Sequence, residues 1–97
     1  MAKGYWIAQM DVTDQDGYDA YRKAVALPLS KYGGRFLVRG GALNVVEGDL
    51  PKRAVVIEFG DYETALACYN SPEYQAAKAL RESASVGMLS IVEGYDG

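Results

Sequence analysis

In the first third of the chain, the spacing of the apolar residues changes from every second residue, as in a strand, to the three- and four-residue spacing of a helix. Residues 4–12 alternate, and the more apolar positions are Trp6, Ala8, Met10 and Val12. This alternation predicts a strand with one buried face. Thr13 and Asp14 then provide a helix cap, and apolar residues recur at helical spacing as far as Tyr32. Pro28 predicts a break or restart within that helix.

Glycine pairs interrupt the pattern at two places in the middle of the chain. Gly33 and Gly34 end the first helix, and residues 35–39 then alternate as a second strand. After Gly40 and Gly41 the strand pattern resumes over residues 42–47, which predicts a bulged or bent continuation of the same strand.

The rest of the chain predicts a turn, two more strands and a helix in two segments. Residues 48–51 include glycine, aspartate and proline, which are typical of turns. The alternation of residues 53–59 predicts a third strand. Asp61 caps a helix to about Tyr69. A second helical segment follows from Ser71 to about Ala84, and residues 88–93 form a fourth strand.

This order is β-α-β-β-α-β with a split second helix, in one domain over residues 1–97. Right-handed crossovers make it a ferredoxin-like α+β fold, an antiparallel sheet with its helices on one face. The opposite face then stays uncovered although it carries Ile7, Leu37, Val56 and Val92. We therefore expect two copies to pack sheet to sheet as a homodimeric α+β barrel.

Composition excludes several classes of partner. The chain has 97 residues and a formal net charge of −3, and its basic residues are scattered. Neither nucleic acid nor anionic lipid is therefore an expected partner. The N-terminus lacks a signal-peptide pattern and no apolar run could span a bilayer, so we expect a cytoplasmic protein with no membrane partner.

The chain contains no histidine and a single cysteine, Cys68. The commonest general base, metal ligand and proximal haem ligand are therefore all missing. We expect no metal and no cofactor. Cys68 has no histidine, lysine or arginine beside it, which favours a packing role over a nucleophilic one.

Two arginines on the second strand form the first candidate site. Regular alternation would place Arg35 and Arg39 on the same face as Glu58 of the neighbouring strand. Such a group could recognise a carboxylate or enolate, with Glu58 as the base. Adjacent guanidinium groups lower the pKa of a carboxyl, however, and make Glu58 a weak base. The alternative is an ion-pair network between subunits, which we favour.

A second candidate is the segment from Ser71 to Tyr74. Its backbone N–H groups and hydroxyl could face an anion, but a plain helix start is the commoner role of such a sequence. The many tyrosines could line a pocket for a flat ligand, although core packing explains most of them.

Four segments carry a resemblance to a known family: residues 31–41, 55–59, 69–75 and 91–94. Together they resemble the domain of unknown function 1330 family, over essentially the whole chain. The resemblance implies a dimeric α+β barrel and no established reaction. It implies shared polar residues at Arg35, Arg39, Glu58, Tyr69, Ser71, Glu73 and Tyr74. Cys68 departs from the family pattern, in which many members carry tryptophan.

Two functions remain open from the sequence. The first is a small-molecule-binding protein that acts, without a cofactor, as an enzyme on a small aromatic or carboxylate-bearing metabolite. Its catalytic residues would be Glu58 and Tyr69, and its ligand-binding residues Arg35, Arg39, Ser71, Glu73 and Tyr74. The second is a non-catalytic dimer with a ligand-binding, stress or regulatory role, in which arginine and glutamate form a structural network.

Overall fold

The computed structural model describes residues 2–49 and 53–95. Its elements in chain order are β1 (Gly4–Val12), α1 (Gln15–Tyr32), β2 (Arg35–Arg39), β3 (Arg53–Phe59), α2 (Tyr62–Asn70), α3 (Pro72–Glu82) and β4 (Ser85–Glu93). The strands form an antiparallel sheet in the order β2-β3-β1-β4. The predicted ferredoxin-like α+β fold is confirmed.

The core lies between the helices and one face of the sheet. Alternate residues of β1 are buried there, and Trp6 anchors the core with 1% of its surface exposed. The indole Nε1–H of Trp6 donates to the Ala65 carbonyl at 2.9 Å, which ties α2 to the central strand. The other large buried side chains include Phe59 and Tyr74, both in ring contact with Trp6.

Helix α1 continues through Pro28, so the predicted break is wrong. Pro28 is buried, and its carbonyl accepts a hydrogen bond from the Cys68 thiol at 3.6 Å. The helix ends where expected, at Gly33, whose φ of 73° is a left-handed conformation that glycine adopts without strain.

Strand β2 contains a bulge. Arg35 pairs with Glu58 and Phe36 with Ile57, but the register then shifts between Phe36 and Val38, so that Arg39 pairs with Val55. Leu37 is the extra residue. Because a bulge inserts one position, every later side chain changes face. The prediction that Arg35 and Arg39 share one face is therefore wrong.

Two boundaries also differ from the sequence predictions. Residues 42–47 are not assigned to a strand, and β4 begins at Ser85 rather than at residue 88. The predicted turn is described only at Gly48, with φ of 84°, and Asp49, because Leu50 and Pro51 lie outside the described residues.

The sheet face opposite the helices is open, as predicted. Its exposed apolar side chains include Ile7 (43% exposed), Val38 (40%), Met88 (56%) and Val92 (42%). Arg35 and Glu58 lie at one side of this open face. None of the described helices combines the length and apolar character that crossing a bilayer requires.

Candidate functional site

A cleft opens between the helices and the covered face of the sheet. Its cavity volume is about 40 Å³, and the empty space including the open mouth is about 520 Å³. The floor comes from all four strands and the wall from α1 and α3. Apolar and aromatic groups contribute most of the surface: Trp6, Ala8, Met10, Tyr18, Tyr21, Val25, Phe36, Val55, Ile57 and Leu89.

Four arginines also line the cleft, and none of the lining residues within 2–49 and 53–95 is acidic. The arginines are Arg22 on α1, Arg39 at the end of β2, Arg53 at the start of β3 and Arg81 on α3. Arg22 meets Asp19 at 3.5 Å on the outer surface of α1. Within residues 2–49 and 53–95, no salt bridge joins the other three guanidinium groups to a carboxylate. The cleft is therefore strongly electropositive.

Aromatic rings hold three of these guanidinium groups in place. A cation over a ring face is attracted by the negative charge density of that face. The pairs, with distances from the guanidinium carbon to the ring centroid, are Arg39 over Phe36 at 4.4 Å, Arg53 over Tyr18 at 5.4 Å and Arg81 over Tyr21 at 5.5 Å. These contacts position the charges without neutralising them.

Two hydroxyls and a guanidinium meet where α1 and α3 pack together. The Tyr21 and Tyr74 oxygens are 3.1 Å apart, and Arg81 Nη2 donates to the Tyr74 oxygen at 3.5 Å. Burial, with a smaller contribution from Tyr74, raises the pKa of Tyr21 far above its ordinary value. Tyr21 is therefore a neutral hydroxyl at physiological pH.

Two polar atoms on the arginines of the cleft lack partners. Arg53 Nε and Arg81 Nε are both buried, and neither has a hydrogen-bond partner in the described part of the chain. A buried donor without an acceptor costs free energy. Both N–H groups are therefore available to an acceptor on a ligand.

A shallow groove lies beside the mouth of the cleft. Its volume is about 330 Å³, and its lining residues are Asp19, Arg22, Lys23 and Arg39. Arg22 and Arg39 line both the groove and the cavity, so the two spaces are neighbours. The approach to the cavity is therefore cationic as well.

The structure separates the arginines that the sequence grouped together. Arg39 lines the cleft, whereas Arg35 lies on the open face with its Nη2 3.2 Å from Oε1 of Glu58. The Tyr5 hydroxyl donates to the same carboxylate at 3.5 Å. Glu58 is therefore not placed to act on a molecule in the cleft.

The residues predicted around the start of α3 have structural contacts. Ser71 caps the helix by accepting the Tyr74 N–H at 3.2 Å. Glu73 meets Lys31 at 2.5 Å, and this hydrogen bond lowers the pKa of Glu73. The Tyr69 ring packs against Tyr74, with centroids 5.2 Å apart. Tyr74 contacts Tyr21 and Arg81 in the cleft lining, and Tyr69 contacts the lining residue Trp6, with ring centroids 6.0 Å apart. The ligand and catalytic roles remain predictions.

The sequence interpretation missed Arg53 and Arg81 as site residues, and it named Tyr21 only among the tyrosines that could line a pocket for a flat ligand. The helical spacing could have identified Arg81. It follows Tyr74 and Ala77 at intervals of seven and four residues and therefore lies on the buried side of α3. An arginine on an apolar helix face points toward the core and needs a partner there. Arg53 opens a strand and gave no comparable signal.

A potential metal site is not evident in the described part of the chain, which contains no suitably placed group of three or more cysteine, aspartate or glutamate side chains.

The family profile for a domain of unknown function, DUF1330, matches residues 3–95. The chain belongs to this family. The resemblance found in the sequence is thereby confirmed. No match exists among curated proteins.

Solved structures with the same fold include proteins of unknown function and oxygenases. RPA0582 from Rhodopseudomonas palustris, of unknown function, has a TM-score of 0.78 at 14% identity, covering 99% of this chain and 85% of its own. A dimeric ferredoxin-like protein from Thermobifida fusca has a TM-score of 0.63 at 16% identity, covering 95% and 91%. SnoaB, a cofactor-independent oxygenase from Streptomyces nogalater, has a TM-score of 0.64 at 11% identity, covering 100% and 97%. At these identities the likeness shows the fold alone.

Proposed function

We propose that this protein is a homodimer that binds a small anionic ligand with an aromatic or otherwise planar body in the cleft. The observation that carries the proposal is the set of four arginines around a cavity whose described lining residues include no acid. Arg53 and Arg81 are partly buried, and a partly desolvated positive charge is costly unless an anion accompanies it. A bound carboxylate or related anion would supply that charge.

The chemistry of the lining fits such a ligand. Guanidinium groups bind carboxylates through paired, charge-assisted hydrogen bonds, which gives orientation as well as affinity. Trp6, Tyr18, Tyr21 and Phe36 offer ring faces and edges to a planar body. The cavity itself is small, so the body of the ligand would extend toward the cationic groove.

The homodimer is proposed from the open face of the sheet. Ile7, Met88 and Val92 are more than two-fifths exposed there, and burial of such side chains is favourable. The Thermobifida fusca protein, which shares the fold, is described as dimeric. A second copy of this chain placed sheet to sheet would cover the face and enclose the Arg35–Glu58 pair.

A cofactor-independent reaction is a second, finer proposal. SnoaB shows that this fold can carry one in another protein. The position of Glu58 on the open face does not favour it as the base for a ligand in the cleft. The Arg35–Glu58 contact instead supports the structural network between subunits, so binding in the cleft is proposed independently of Glu58.

The test is calorimetric titration and thermal denaturation with benzoate, 4-hydroxybenzoate and the uncharged analogue benzamide. The carboxylates should bind at least tenfold more tightly than benzamide, and a ligand at about 100 times its Kd should stabilise the fold by about 2.7 kcal/mol. Arg39→Met should weaken carboxylate binding at least tenfold. The matched control is the double variant of Arg35→Met with Glu58→Gln, which removes the ion pair from the open face without leaving an unpaired carboxylate and should leave binding unchanged.

Equal binding of benzoate and benzamide would contradict the anionic ligand. Failure of both carboxylates to bind at millimolar concentration would contradict the site, as would equal losses in Arg39→Met and in the double variant.

A further inference from the structure

We infer that the part of the cleft beside Tyr21 and Arg81 is a subsite for a deprotonated acidic oxygen of the ligand, a phenolate or an enolate. The donors would be the Tyr21 hydroxyl and the Arg81 Nε–H. This inference rests on the proposed function of the cleft and specifies the ligand class further.

The directions of the hydrogen bonds free the Tyr21 proton. Arginine can only donate, so the Tyr74 oxygen accepts from Arg81 Nη2 at 3.5 Å. Tyr74 is fully buried, and its own proton needs an acceptor. The geometry of the Tyr21–Tyr74 contact at 3.1 Å permits either hydroxyl to donate, and we assign the Tyr21 oxygen as the acceptor of the Tyr74 proton. In this series of hydrogen bonds, from Arg81 to Tyr74 to Tyr21, the Tyr21 proton is left without an acceptor. Tyr21 also lines the cavity.

The second donor is the unpartnered N–H of Arg81. Its Nε is buried and lacks an acceptor among the described residues, while its two terminal nitrogens contact Met10 and Tyr74. Arg81 also lines the cavity. A neutral hydroxyl and a guanidinium N–H form a donor pair that stabilises negative charge on an oxygen.

Among the described lining residues, the other titratable side chains are three arginines and one tyrosine. Helix α1 contributes Tyr18 and Arg22, β2 contributes Arg39, and β3 contributes Arg53. The lining residues of β1 and β4 are not titratable. No carboxylate in the described part of the lining therefore competes for these donors or repels a bound anion, and the deprotonated form of a ligand is favoured over the neutral form.

The size of the cavity suits this assignment. A volume of about 40 Å³ has room for a few atoms, such as an oxygen and the carbon that bears it, rather than for a complete ring. The ring would extend toward the mouth between Arg22 and Arg39. Binding the anion involves only ionisation, in which the ligand O–H bond breaks heterolytically and its proton passes to solvent.

The probe is 4-nitrophenol, whose phenolate absorbs visible light and whose phenol does not. Wild-type protein should bind the phenolate at least tenfold more tightly than the phenol, so that the apparent pKa of the bound probe falls by about one unit or more. Tyr21→Phe removes only the hydroxyl oxygen and should abolish most of this shift. Tyr32→Phe, on the same helix but away from the cleft lining, is the matched control.

A second probe keeps the test independent of the folding of any variant. 4-Nitroanisole has the same ring but no acidic oxygen, and it should bind wild-type protein at least tenfold more weakly than 4-nitrophenolate.

Three results would overturn the subsite: an unshifted pKa of the bound phenol, a shift that persists in Tyr21→Phe, or failure of 4-nitrophenol to bind at millimolar concentration. If benzoate still bound in an Arg39-dependent way, the proposed function would stand while this inference failed. If neither probe nor benzoate bound, the proposed function itself would fail.

Discussion

Arg39 lies over the ring of Phe36, with its guanidinium carbon 4.4 Å from the ring centroid. Residues three apart on a regular strand point to opposite faces of the sheet. The contact exists because Leu37 is accommodated as an extra residue, which turns Arg39 to the side of Phe36. One bulge therefore moves an arginine from the open face to the cleft.

This arrangement predicts that Arg39 and Arg35 contribute differently to stability. Arg39→Met keeps the apolar stem and loses one exposed cation–π contact, so the free energy of unfolding should fall by less than about 1 kcal/mol. Arg35→Met leaves the Glu58 carboxylate, which is 19% exposed, without its cation. If a second copy covers this face, that loss should be roughly 3 to 5 kcal/mol.

Chemical denaturation of single and double variants measures the difference. Glu58→Gln should recover part of the loss in Arg35→Met and none in Arg39→Met. Rescue of Arg39→Met by Glu58→Gln would show that Arg39 and Glu58 interact and would contradict the register of β2.

The proposed dimer predicts that a charge at the centre of the open face separates the subunits. Ile7 lies on the central strand β1 and is 43% exposed. Ile7→Asp should weaken dimerisation at least a hundredfold, because a carboxylate would be buried without a partner. Leu27→Asp is the control, since Leu27 is 67% exposed on α1, on the helical side of the sheet.

Sedimentation equilibrium at low micromolar concentration distinguishes the two variants. Ile7→Asp should sediment as a monomer and Leu27→Asp as a dimer. A wild-type protein that is already monomeric, or an Ile7→Asp variant that remains dimeric, would show that this face is not the interface.

Most of the fold followed from periodicity. The alternation of Trp6, Ala8 and Met10 identifies the buried face of β1, and the pairing of two helices with four strands leaves few topologies. The bulge at Leu37 did not follow, since a bulge depends on how two strands pair rather than on the local pattern of one. The continuous path of α1 through Pro28 did not follow from the sequence either; Pro28 is buried there, and its carbonyl accepts the Cys68 thiol.

Less of the candidate site was predictable. Arg39 was identified, but its face was not. Tyr21 was one of several tyrosines that could line a pocket, and the packing of α1 against α3 is what brings its hydroxyl to Tyr74. Such contacts between residues 53 positions apart are set by the tertiary structure.

The environment of Cys68 predicts an unreactive thiol. Burial, with a smaller contribution from the charge of Glu73, raises the pKa of Cys68 to about 12. The thiol is therefore neutral at pH 7 to 9, and the nucleophilic thiolate is scarce. In the native protein a disulfide reagent should label Cys68 at least a thousandfold more slowly than in denaturant. The buried placement of Cys68 would be contradicted if the native protein were labelled rapidly while the Cys68→Ala variant was not labelled.

The last prediction concerns Ser71, which joins the end of α2 to the start of α3. Its hydroxyl donates to the Cys68 carbonyl at 2.7 Å and accepts the Tyr74 N–H at 3.2 Å. Ser71→Ala removes both bonds in a buried setting, so the free energy of unfolding should fall by about 1 to 2 kcal/mol.

Ser83→Ala at the exposed end of α3 is the matched control and should change stability by less than about 0.5 kcal/mol. Because the hydroxyl of Ser71 is already engaged within the helix junction, benzoate affinity should be the same in Ser71→Ala as in wild type. A tenfold loss of affinity with unchanged stability would reverse this assignment and place Ser71 in the ligand site that the family resemblance implies.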